Sequence, residues 1–157
     1  MKYSAVMESP IGLLTLVEED GALIEIHFGE CCADIPRYRT GLLERAKSEL
    51  NEYFDGRRKN FDLPLNPRGT AFQQRCWNAL LQIPYGETRT YGQQAAMIGN
   101  PKACRAVGMG NHANPLPVII PCHRVVGTNG QLTGYAGGLE IKQILLNIER
   151  MNHHDSA

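Results

Sequence analysis

The spacing of the apolar residues changes near residue 70, and this change divides the chain into two parts with different folds. Residues 1–30 carry apolar runs broken by the turn sequence Glu-Glu-Asp-Gly at 18–21, which predicts strands joined in a hairpin. Residues 41–55 then show the periodicity of one amphipathic helix. After residue 70 the helical spacing dominates. The sequence therefore predicts an α+β fold, with a small sheet-and-helix domain over residues 1–65 and a helical domain over residues 69–152.

The second part contains two capping boxes, which mark helix starts. Thr70 and Thr90 are each followed three residues later by a glutamine, the pattern that satisfies the first free N–H groups of a helix. The helix after Thr90 is expected to cover about 91–98. Asn100-Pro101 predicts a second helix, with asparagine as N-cap and proline at the first position. Two short helices joined by a tight turn are typical of a helix-turn-helix.

The remaining elements are predicted from local signals. Phe61 to Arg68 contains two prolines without helical period and is expected to link the two parts. Asn129-Gly130 predicts a hairpin that would resemble a wing. The glycine-rich run from Gly134 to Gly138 can bring backbone N–H groups close to a ligand. The last helix is expected from Leu139 to Met151, followed by a frayed tail, with Leu145, Ile148 and Met151 facing inward.

The motif Pro121-Cys122-His123-Arg124 interrupts an apolar segment that runs from Val118 to Val126. A thiol, an imidazole and a guanidinium are costly to bury without partners, so their clustering indicates chemistry. A thiolate is a nucleophile, and its ordinary pKa of about 8.5 requires a nearby base or cation at neutral pH. On a strand Cys122 and His123 would point to opposite faces, but Pro121 can end the strand and turn the chain. The motif alone also fits a structural cysteine beside a surface histidine and arginine.

The distribution of charge and the cysteine content indicate what the protein binds and in which compartment it is found. Residues 1–65 carry 8 basic and 12 acidic side chains, whereas residues 66–157 carry 8 and 4, so the second part would attract a polyanion. Five cysteines without a signal-like start predict a reducing, cytoplasmic location, and no apolar run approaches a membrane span. His27, Cys31 and Cys32 are conceivable metal ligands. No second Cys or His pair lies at zinc-site spacing, so no metal is expected.

An ordered set of motifs from Thr70 to Glu149 carries a family resemblance. Besides Pro-Cys-His-Arg-Val at 121–125, it comprises Ile-Pro-Tyr-Gly-Glu-Thr at 83–88, Tyr-Gly-Gln at 91–93, Gly-Asn-Pro at 99–101, Ala-Cys-Arg-Ala-Val-Gly at 103–108, Asn-Pro at 114–115 and Gly-Tyr-Ala-Gly-Gly at 134–138. This set resembles the O6-alkylguanine-DNA alkyltransferases, also called methylated-DNA–protein-cysteine methyltransferases. The N-terminal third is similar only in outline, through Ser-Pro-Ile-Gly at 9–12.

The resemblance implies both a fold and an activity. A ribonuclease-H-like domain would precede a winged-helix-like DNA-binding domain that carries the active cysteine. An alkyl group would pass from O6 of guanine in DNA, and possibly from O4 of thymine, to Cys122. That cysteine stays alkylated, so each molecule acts once. No cofactor, metal or hydrolytic water is required, and no ligand set matches the structural zinc that some members bind.

The resemblance also implies roles for particular side chains. His123 would activate the thiol through a water, oriented by Glu149, while Asn114 would support the loop. Tyr91 would hydrogen-bond to the departing guanine. The substrate pocket would include Val125, whose carbonyl would accept from the exocyclic amine, Tyr135, and Ala136, whose N–H would hold O6. Other members often carry serine where this chain has Ala136.

Double-stranded DNA is the implied partner, bound through the minor groove with the damaged nucleotide flipped out. Arg105, the long cation on the small-residue helix from Ala103 to Gly108, would fill the gap that the nucleotide leaves. A surface arginine on a packed helix would give the same pattern. The protein is expected to be a monomer with no membrane partner. The implied DNA contacts are Arg105, Tyr91, Asn100, Ala103 and Thr128.

Two alternatives belong to other functional classes. An alkyltransferase-like protein would bind lesions without transferring the alkyl group, but such proteins replace the cysteine that this chain retains as Cys122. A thiol hydrolase of papain-like logic would turn over an ester or an amide. That reading leaves the helix-turn-helix unexplained.

Overall fold

The computed structural model describes residues 1–153, and the chain forms two compact units that divide between Arg68 and Gly69. In the first unit the strands β1 (Lys2–Met7), β2 (Leu14–Glu19) and β3 (Ala22–Phe28) form an antiparallel sheet in that order. The central strand is almost entirely buried, as expected for a strand with a neighbour on each side. Helix α1 (Gly41–Phe54) contributes an apolar face of buried leucines to the same core.

Local sequence signals account for the turns of this unit. Asp20 and Gly21 both have positive φ, 52° and 82°, as the turn of a two-residue hairpin requires, and the predicted hairpin is confirmed. Thr40 caps α1 by accepting a hydrogen bond from the N–H of Leu43 at 3.0 Å. The helix therefore begins and ends within one residue of the predicted range.

The predicted linker is part of the first unit instead. The N–H of Leu23 donates to the carbonyl of Pro64 at 2.9 Å, and the N–H of Asn66 donates to the carbonyl of Leu23 at 2.8 Å. This segment thus adds an isolated parallel bridge to β3. Prolines are tolerated there because an edge strand does not need every N–H for pairing. Proline content alone had suggested a linker.

The second unit is mainly helical. It contains α2 (Ala71–Leu81), the short strand β4 (Arg89–Thr90), α3 (Tyr91–Met97), α4 (Cys104–His112), the short strand β5 (Val125–Val126) and α5 (Leu139–Asn152). Both predicted capping boxes are formed, at Thr70 and Thr90. The indole N–H of Trp77, buried on α2, donates to the carbonyl of Gly110 at 2.9 Å and ties α2 to α4.

Two predictions about loops in this unit are wrong in detail. Helix α4 begins at Cys104 without a side-chain cap, so Asn100 and Pro101 form a turn before it. Asn129 and Gly130 do adopt positive φ, but β5 pairs in parallel with β4 rather than with a strand beyond the turn. The short-range turn signal was present, whereas the pairing partner is about 35 residues earlier in the sequence.

Helix α5 turns a different face inward from the one predicted. Met151 is 77% exposed, and the buried positions are Lys142, Leu145, Leu146 and Glu149. These positions follow the 3.6-residue period, but two of them carry charges, so a search for apolar residues alone missed the face. The tail was expected from residue 152. Asn152 still belongs to α5, and residues 154–157 lie outside the described residues. No helix within residues 1–153 is long and apolar enough to cross a membrane.

Candidate active site

The segment before Cys122 is a buried turn rather than a strand. The N–H of Ile120 donates to the carbonyl of Leu116 at 2.9 Å, and the prolines in this segment cannot donate to a sheet. Val118 has φ of +75°, a sparsely populated conformation for a β-branched residue. Such strain persists only where the surrounding structure holds it, commonly at functional sites. The turn delivers Cys122 to the first position of a 3-10 helix that covers Cys122–Arg124.

Asn114 fixes this turn from both ends. Its Nδ2 atom donates to the carbonyl of Ile120 at 2.8 Å, while its Oδ1 atom accepts from the N–H of Leu116 at 2.9 Å. The side chain is buried, so these bonds are shielded from water. Asn114 therefore holds in place the cysteine loop, which covers residues 114–125.

The thiol of Cys122 is nearly buried, with 8% of the residue exposed. Burial raises its pKa to about 11, and this effect is opposed by a hydrogen bond with the Asn114 side chain and by the positive charge of Lys142. At neutral pH the resting group is therefore the thiol. A base must take its proton when it reacts, because only the thiolate is strongly nucleophilic.

A buried charge cluster lies directly behind the thiol. The Nε2 atom of His123 is 2.6 Å from Oε2 of Glu149. Arg124 donates two hydrogen bonds to the same carboxylate, from Nε to Oε1 at 2.9 Å and from Nη2 to Oε2 at 3.1 Å. The N–H of Gly86 adds a fourth hydrogen bond at 3.1 Å. The buried carboxylate thus has both a counter-ion and a full set of donors, which offset the cost of its desolvation.

The surroundings of His123 and Glu149 determine their protonation states at neutral pH. Burial lowers the pKa of His123, and the attraction of Glu149 offsets this only in part. Burial acts to raise the pKa of Glu149, but the hydrogen bonds and charges of His123 and Arg124 together hold it well below its ordinary value. The arrangement is a neutral imidazole that donates from Nε2 to a carboxylate. Its Nδ1 atom is then the basic nitrogen.

Lys142 is a buried cation that sequence reasoning missed. Its Nζ atom donates to the carbonyl of Val125 at 2.6 Å and to the carbonyl of Thr133 at 2.7 Å. Burial lowers its pKa, while the proximity of Cys122 acts to raise it. Lys142 therefore ties the end of the cysteine loop to the glycine-rich loop and supplies positive charge near the sulfur.

A cavity of about 600 Å³ opens in front of Cys122. Tyr91 stands on its wall, where the phenol donates to the carbonyl of Thr133 at 3.4 Å and accepts from the Thr133 hydroxyl at 3.1 Å. The longer bond is weak and can be exchanged for one to a ligand. The lining includes Thr90, Tyr91, Cys104, Arg105, Gly108, Cys122, Thr128, Tyr135 and Ala136.

Helix α4 presents an exposed face at the mouth of this cavity. Arg105 is exposed and lines the cavity, and Gly108 packs close to the ring of Tyr91. The sequence analysis described this helix as made of small residues apart from Arg105, but the exposed face carries further long side chains. Met109, which is 74% exposed, lies one helical turn after Arg105, and His112 lies about one turn after Met109. All three residues line a shallow groove. The sequence analysis had ended the helix at residue 108 and so left both out.

The predicted site residues divide into three groups. Cys122, Tyr91, Arg105, Thr128, Tyr135 and Ala136 line one cavity. Behind the thiol, His123, Glu149 and Asn114 are buried and do not line the cavity, and Val125 is also buried, with its carbonyl bound to Lys142. Asn100 and Ala103 lie in the turn before α4 and do not line the cavity.

Arg124, Lys142 and Thr133 complete the site without having been predicted. Arg124 was noticed only as part of the cysteine motif, and nothing in the sequence pairs it with Glu149. A signal for Lys142 did exist, because it lies seven residues before Glu149 and both positions fall on one helix face. The arrangement as a whole offers a nucleophile, a neutral base with a fixed tautomer, a phenol and a concave pocket.

Comparison with known proteins gives matches in both units. Residues 2–67 match the model of the 6-O-methylguanine DNA methyltransferase ribonuclease-like domain, and residues 71–151 match that of the 6-O-methylguanine DNA methyltransferase DNA-binding domain. The chain is 49% identical to the methylated-DNA–protein-cysteine methyltransferase of Methanosarcina acetivorans, over 94% of this chain and 97% of the relative. It is 46% identical to the constitutive methyltransferase of that name from Bacillus subtilis, over 99% of each.

A solved structure agrees with these sequence matches. Mycobacterium tuberculosis OGT in complex with DNA superposes with a TM-score of 0.90 and 45% identity, over 96% of this chain and 94% of the other. The α+β fold predicted from the sequence is thereby confirmed.

Proposed function

The chain belongs to the O6-methylguanine-DNA methyltransferase family, and from that premise we propose that it repairs DNA by transferring the alkyl group of O6-alkylguanine to Cys122. The observation that carries the assignment to this residue is the position of the thiol. Cys122 lies on the wall of a cavity of about 600 Å³, with the buried pair of His123 and Glu149 behind it. The cavity is large enough for one base.

The proposed reaction is a displacement at the alkyl carbon. His123, held neutral by burial, accepts the proton of the Cys122 thiol, through a water in the family mechanism. The sulfur forms a bond to the alkyl carbon while the bond from that carbon to O6 breaks, and the electron pair passes to the guanine. Tyr91 would donate a hydrogen bond to the departing base, which makes it a better leaving group. The product is a stable thioether, so each molecule acts once.

DNA is the proposed partner of the exposed face of α4, with the duplex approached through the minor groove. Arg105 sits at the mouth of the cavity and would occupy the space of the extruded nucleotide. The cavity reaches from the mouth at Arg105 to the sulfur of Cys122, which suits a base turned out of its stack. We further propose that the protein acts as a monomer in the cytoplasm, where a reducing environment preserves the thiol.

Intact-protein mass spectrometry tests the proposal directly. The protein is mixed with excess duplex DNA that contains O6-methylguanine, and the mass of the chain is followed with time. We expect one added methyl group, mapped to Cys122 by peptide analysis, with no further turnover. Cys122→Ser should bind the DNA and gain no methyl group, because a serine hydroxyl is far less acidic than a thiol. Methylation of that variant at the wild-type rate would contradict the assignment.

Mass spectrometry also tests the two alternatives, with the same DNA for the first and with an ester in place of DNA for the second. A lesion-binding protein without transferase activity would retain DNA and keep its original mass. A thiol hydrolase would form an acyl adduct from an ester and then lose it to water, with many turnovers.

A further inference from the structure

Three potential metal ligands meet in the first unit. A ring nitrogen of His27, the Sγ atom of Cys31 and the Sγ atom of Cys32 all lie within 4.8 Å of one another. The two sulfur atoms are 2.6 Å apart. These residues are half-buried, so the cluster is shielded from bulk water on one side and open on the other. No second ligand pair lies at zinc-site spacing in the sequence, but the fold brings these three side chains together from a strand and the loop after it.

Backbone conformation brings the adjacent thiols to the same side. In an extended chain two successive side chains point in opposite directions. Cys32 instead has φ of +61°, in the left-handed region that residues other than glycine, asparagine and aspartate rarely adopt. This single residue breaks the alternation and lets both sulfurs face the ring of His27.

The loop that carries Cys31 and Cys32 is held by hydrogen bonds to its backbone rather than to its sulfur atoms. The N–H of Cys31 donates to Oγ1 of Thr15 at 3.1 Å, and Thr15 is the cross-strand neighbour of His27. Arg37 donates to the carbonyl of Cys31 at 2.6 Å and to the carbonyl of Cys32 at 3.1 Å. Because main-chain groups carry these bonds, both sulfurs stay available, and the histidine is fixed to the same strand pair.

A carboxylate stands beside the imidazole. Glu25 and His27 are two residues apart on β3 and share a face, and Oε1 of Glu25 is 2.8 Å from Nε2 of His27. Metal-bound histidines usually have such a partner, which orients the ring and strengthens it as a ligand.

We propose that His27, Cys31 and Cys32 form a binding site for a thiophilic divalent cation of the zinc class, with Glu25 as the fourth ligand or as the partner of His27. On binding, both thiols release their protons to solvent, each sulfur donates an electron pair to the cation, and His27 binds as neutral imidazole. Two thiolates and one imidazole are the donors that zinc prefers.

The required movement is small. Bonds of about 2.3 Å to sulfur and 2.0–2.1 Å to nitrogen in a tetrahedral site place two sulfurs about 3.8 Å apart and a sulfur and a nitrogen about 3.6 Å apart. The sulfurs therefore separate by roughly 1 Å around the ion, a shift that rotation of the cysteine side chains supplies.

The charges around the cluster favour a cation. The carboxylates of Glu25 and Asp34 supply negative charge near the two sulfurs. Arg37 is the opposing positive charge, but its donors are engaged with the two carbonyls and with Ser4. A divalent ion would neutralise the two thiolates that form when it binds.

The test uses the full chain, reduced and handled without oxygen. Cobalt(II) is titrated in, and the visible absorption of a tetrahedral thiolate complex is followed. Bound zinc is measured separately after gel filtration. We expect one equivalent of either metal, with bound zinc raising the thermal midpoint. The double variant Cys31→Ser, Cys32→Ser should lose the absorption and the bound zinc, and His27→Ala should weaken binding at least tenfold.

Matched controls locate the site. Cys104→Ser and Cys122→Ser remove thiols of the second unit and should each leave one equivalent of metal bound. The proposal is overturned if the double variant binds as the wild type does. It is also overturned if the reduced wild type, with all five thiols counted, retains no metal. Formation of a bond between Cys31 and Cys32 that persists under reduction, with no metal uptake, would show a redox pair in place of a metal site.

Discussion

Arg124 donates two parallel hydrogen bonds to Glu149, and both side chains are buried. The guanidinium also donates to the carbonyl of Ile83 at 2.7 Å and lies 5.6 Å from the ring centre of Tyr85. The planar fork of arginine matches the carboxylate in a way that a lysine ammonium cannot. This pair holds the carboxylate that is hydrogen-bonded to His123, so the base proposed for Cys122 depends on an ion pair that does not line the cavity.

Arg124→Ala should strongly destabilise the second unit. Removing one partner of a buried ion pair leaves the other charge uncompensated, at a cost of about 3–5 kcal/mol in unfolding free energy. Urea unfolding of the full chain measures the loss. Arg57→Ala is the matched control, because Arg57 pairs with Asp55 at 3.0 Å on the exposed surface. That exposed pair should contribute about 0–1 kcal/mol. Equal losses in the two variants would contradict the role given to Arg124.

Acid should weaken the fold below the ordinary pKa of histidine. Burial lowers the pKa of His123, so the unfolded chain takes up a proton at a higher pH than the folded chain does. The stability is therefore fully present above about pH 6.5 and falls as the pH decreases. The lowered pKa of Glu149 adds a further loss at more acidic pH. Unfolding free energies at pH 7.5, 6 and 5 test this, and His123→Asn should flatten the slope between pH 6.5 and 5.

The rate of alkyl transfer should depend little on pH near neutrality. If neutral His123 takes the proton from the Cys122 thiol, both partners are already in their reactive forms between pH 7 and 8. If free thiolate were the reacting species, its raised pKa of about 11 would make the rate rise about tenfold for each pH unit. Reaction of the protein with free O6-benzylguanine at several pH values distinguishes the two.

Lys142→Met should slow transfer without unfolding the protein. Methionine fills a similar volume but removes the charge that lowers the pKa of Cys122 and the two hydrogen bonds to Val125 and Thr133. Because proton transfer to His123 becomes less favourable as the pKa of the thiol rises, we expect a rate several-fold lower than that of the wild type. Rates with free O6-benzylguanine measure the effect. Gln143→Met is the control. The Gln143 amide donates to Asn147 on the same helix, so its loss should leave the rate unchanged.

Tyr91→Phe should reduce the rate of transfer more than the affinity for DNA. The hydroxyl is held by Thr133 and is available to the departing base, so its loss acts on the reaction step by roughly a hundredfold. Single-turnover kinetics and a binding isotherm with the same duplex supply the two numbers. Equal losses in both would mean that Tyr91 only positions the DNA.

Local signals in the sequence predicted most elements of the fold. The capping boxes at Thr70 and Thr90, the hairpin turn at Asp20-Gly21 and the amphipathic period of α1 each depend on neighbours within a few residues. The errors arose where distant partners decide. Residues 64–66 pair with Leu23 of β3, and Val125–Val126 pairs with Arg89–Thr90. No local pattern encodes either contact.

The same distinction applies to the site. The motif around Cys122 named the nucleophile and its neighbours, because they are adjacent in sequence. The bonds from Lys142 to Thr133 and from Arg124 to Glu149 join residues on different elements, so only the fold reveals them. His27 and the two cysteines of the first unit show this most clearly, since the positive φ of Cys32 and not the spacing brings the thiols together.

Arg105 has two possible roles, a contact with a phosphate and insertion at the extruded nucleotide, and they predict different effects of its removal on the rate of transfer. Arg105 lies at the cavity mouth, exposed, beside Met109 on the same face of α4. If it only contacts a phosphate, Arg105→Ala should lower DNA affinity about uniformly and reduce the salt slope by about one. If it fills the space of the extruded nucleotide, the variant should also transfer more slowly from duplex DNA. Free O6-benzylguanine needs no flipping, so its rate should hardly change.

We expect the ratio of the duplex rate to the free-base rate to fall at least tenfold in Arg105→Ala. Met109→Ala removes an exposed neighbour of similar length without charge and should preserve the ratio. An unchanged ratio in Arg105→Ala would show that this side chain binds the backbone only.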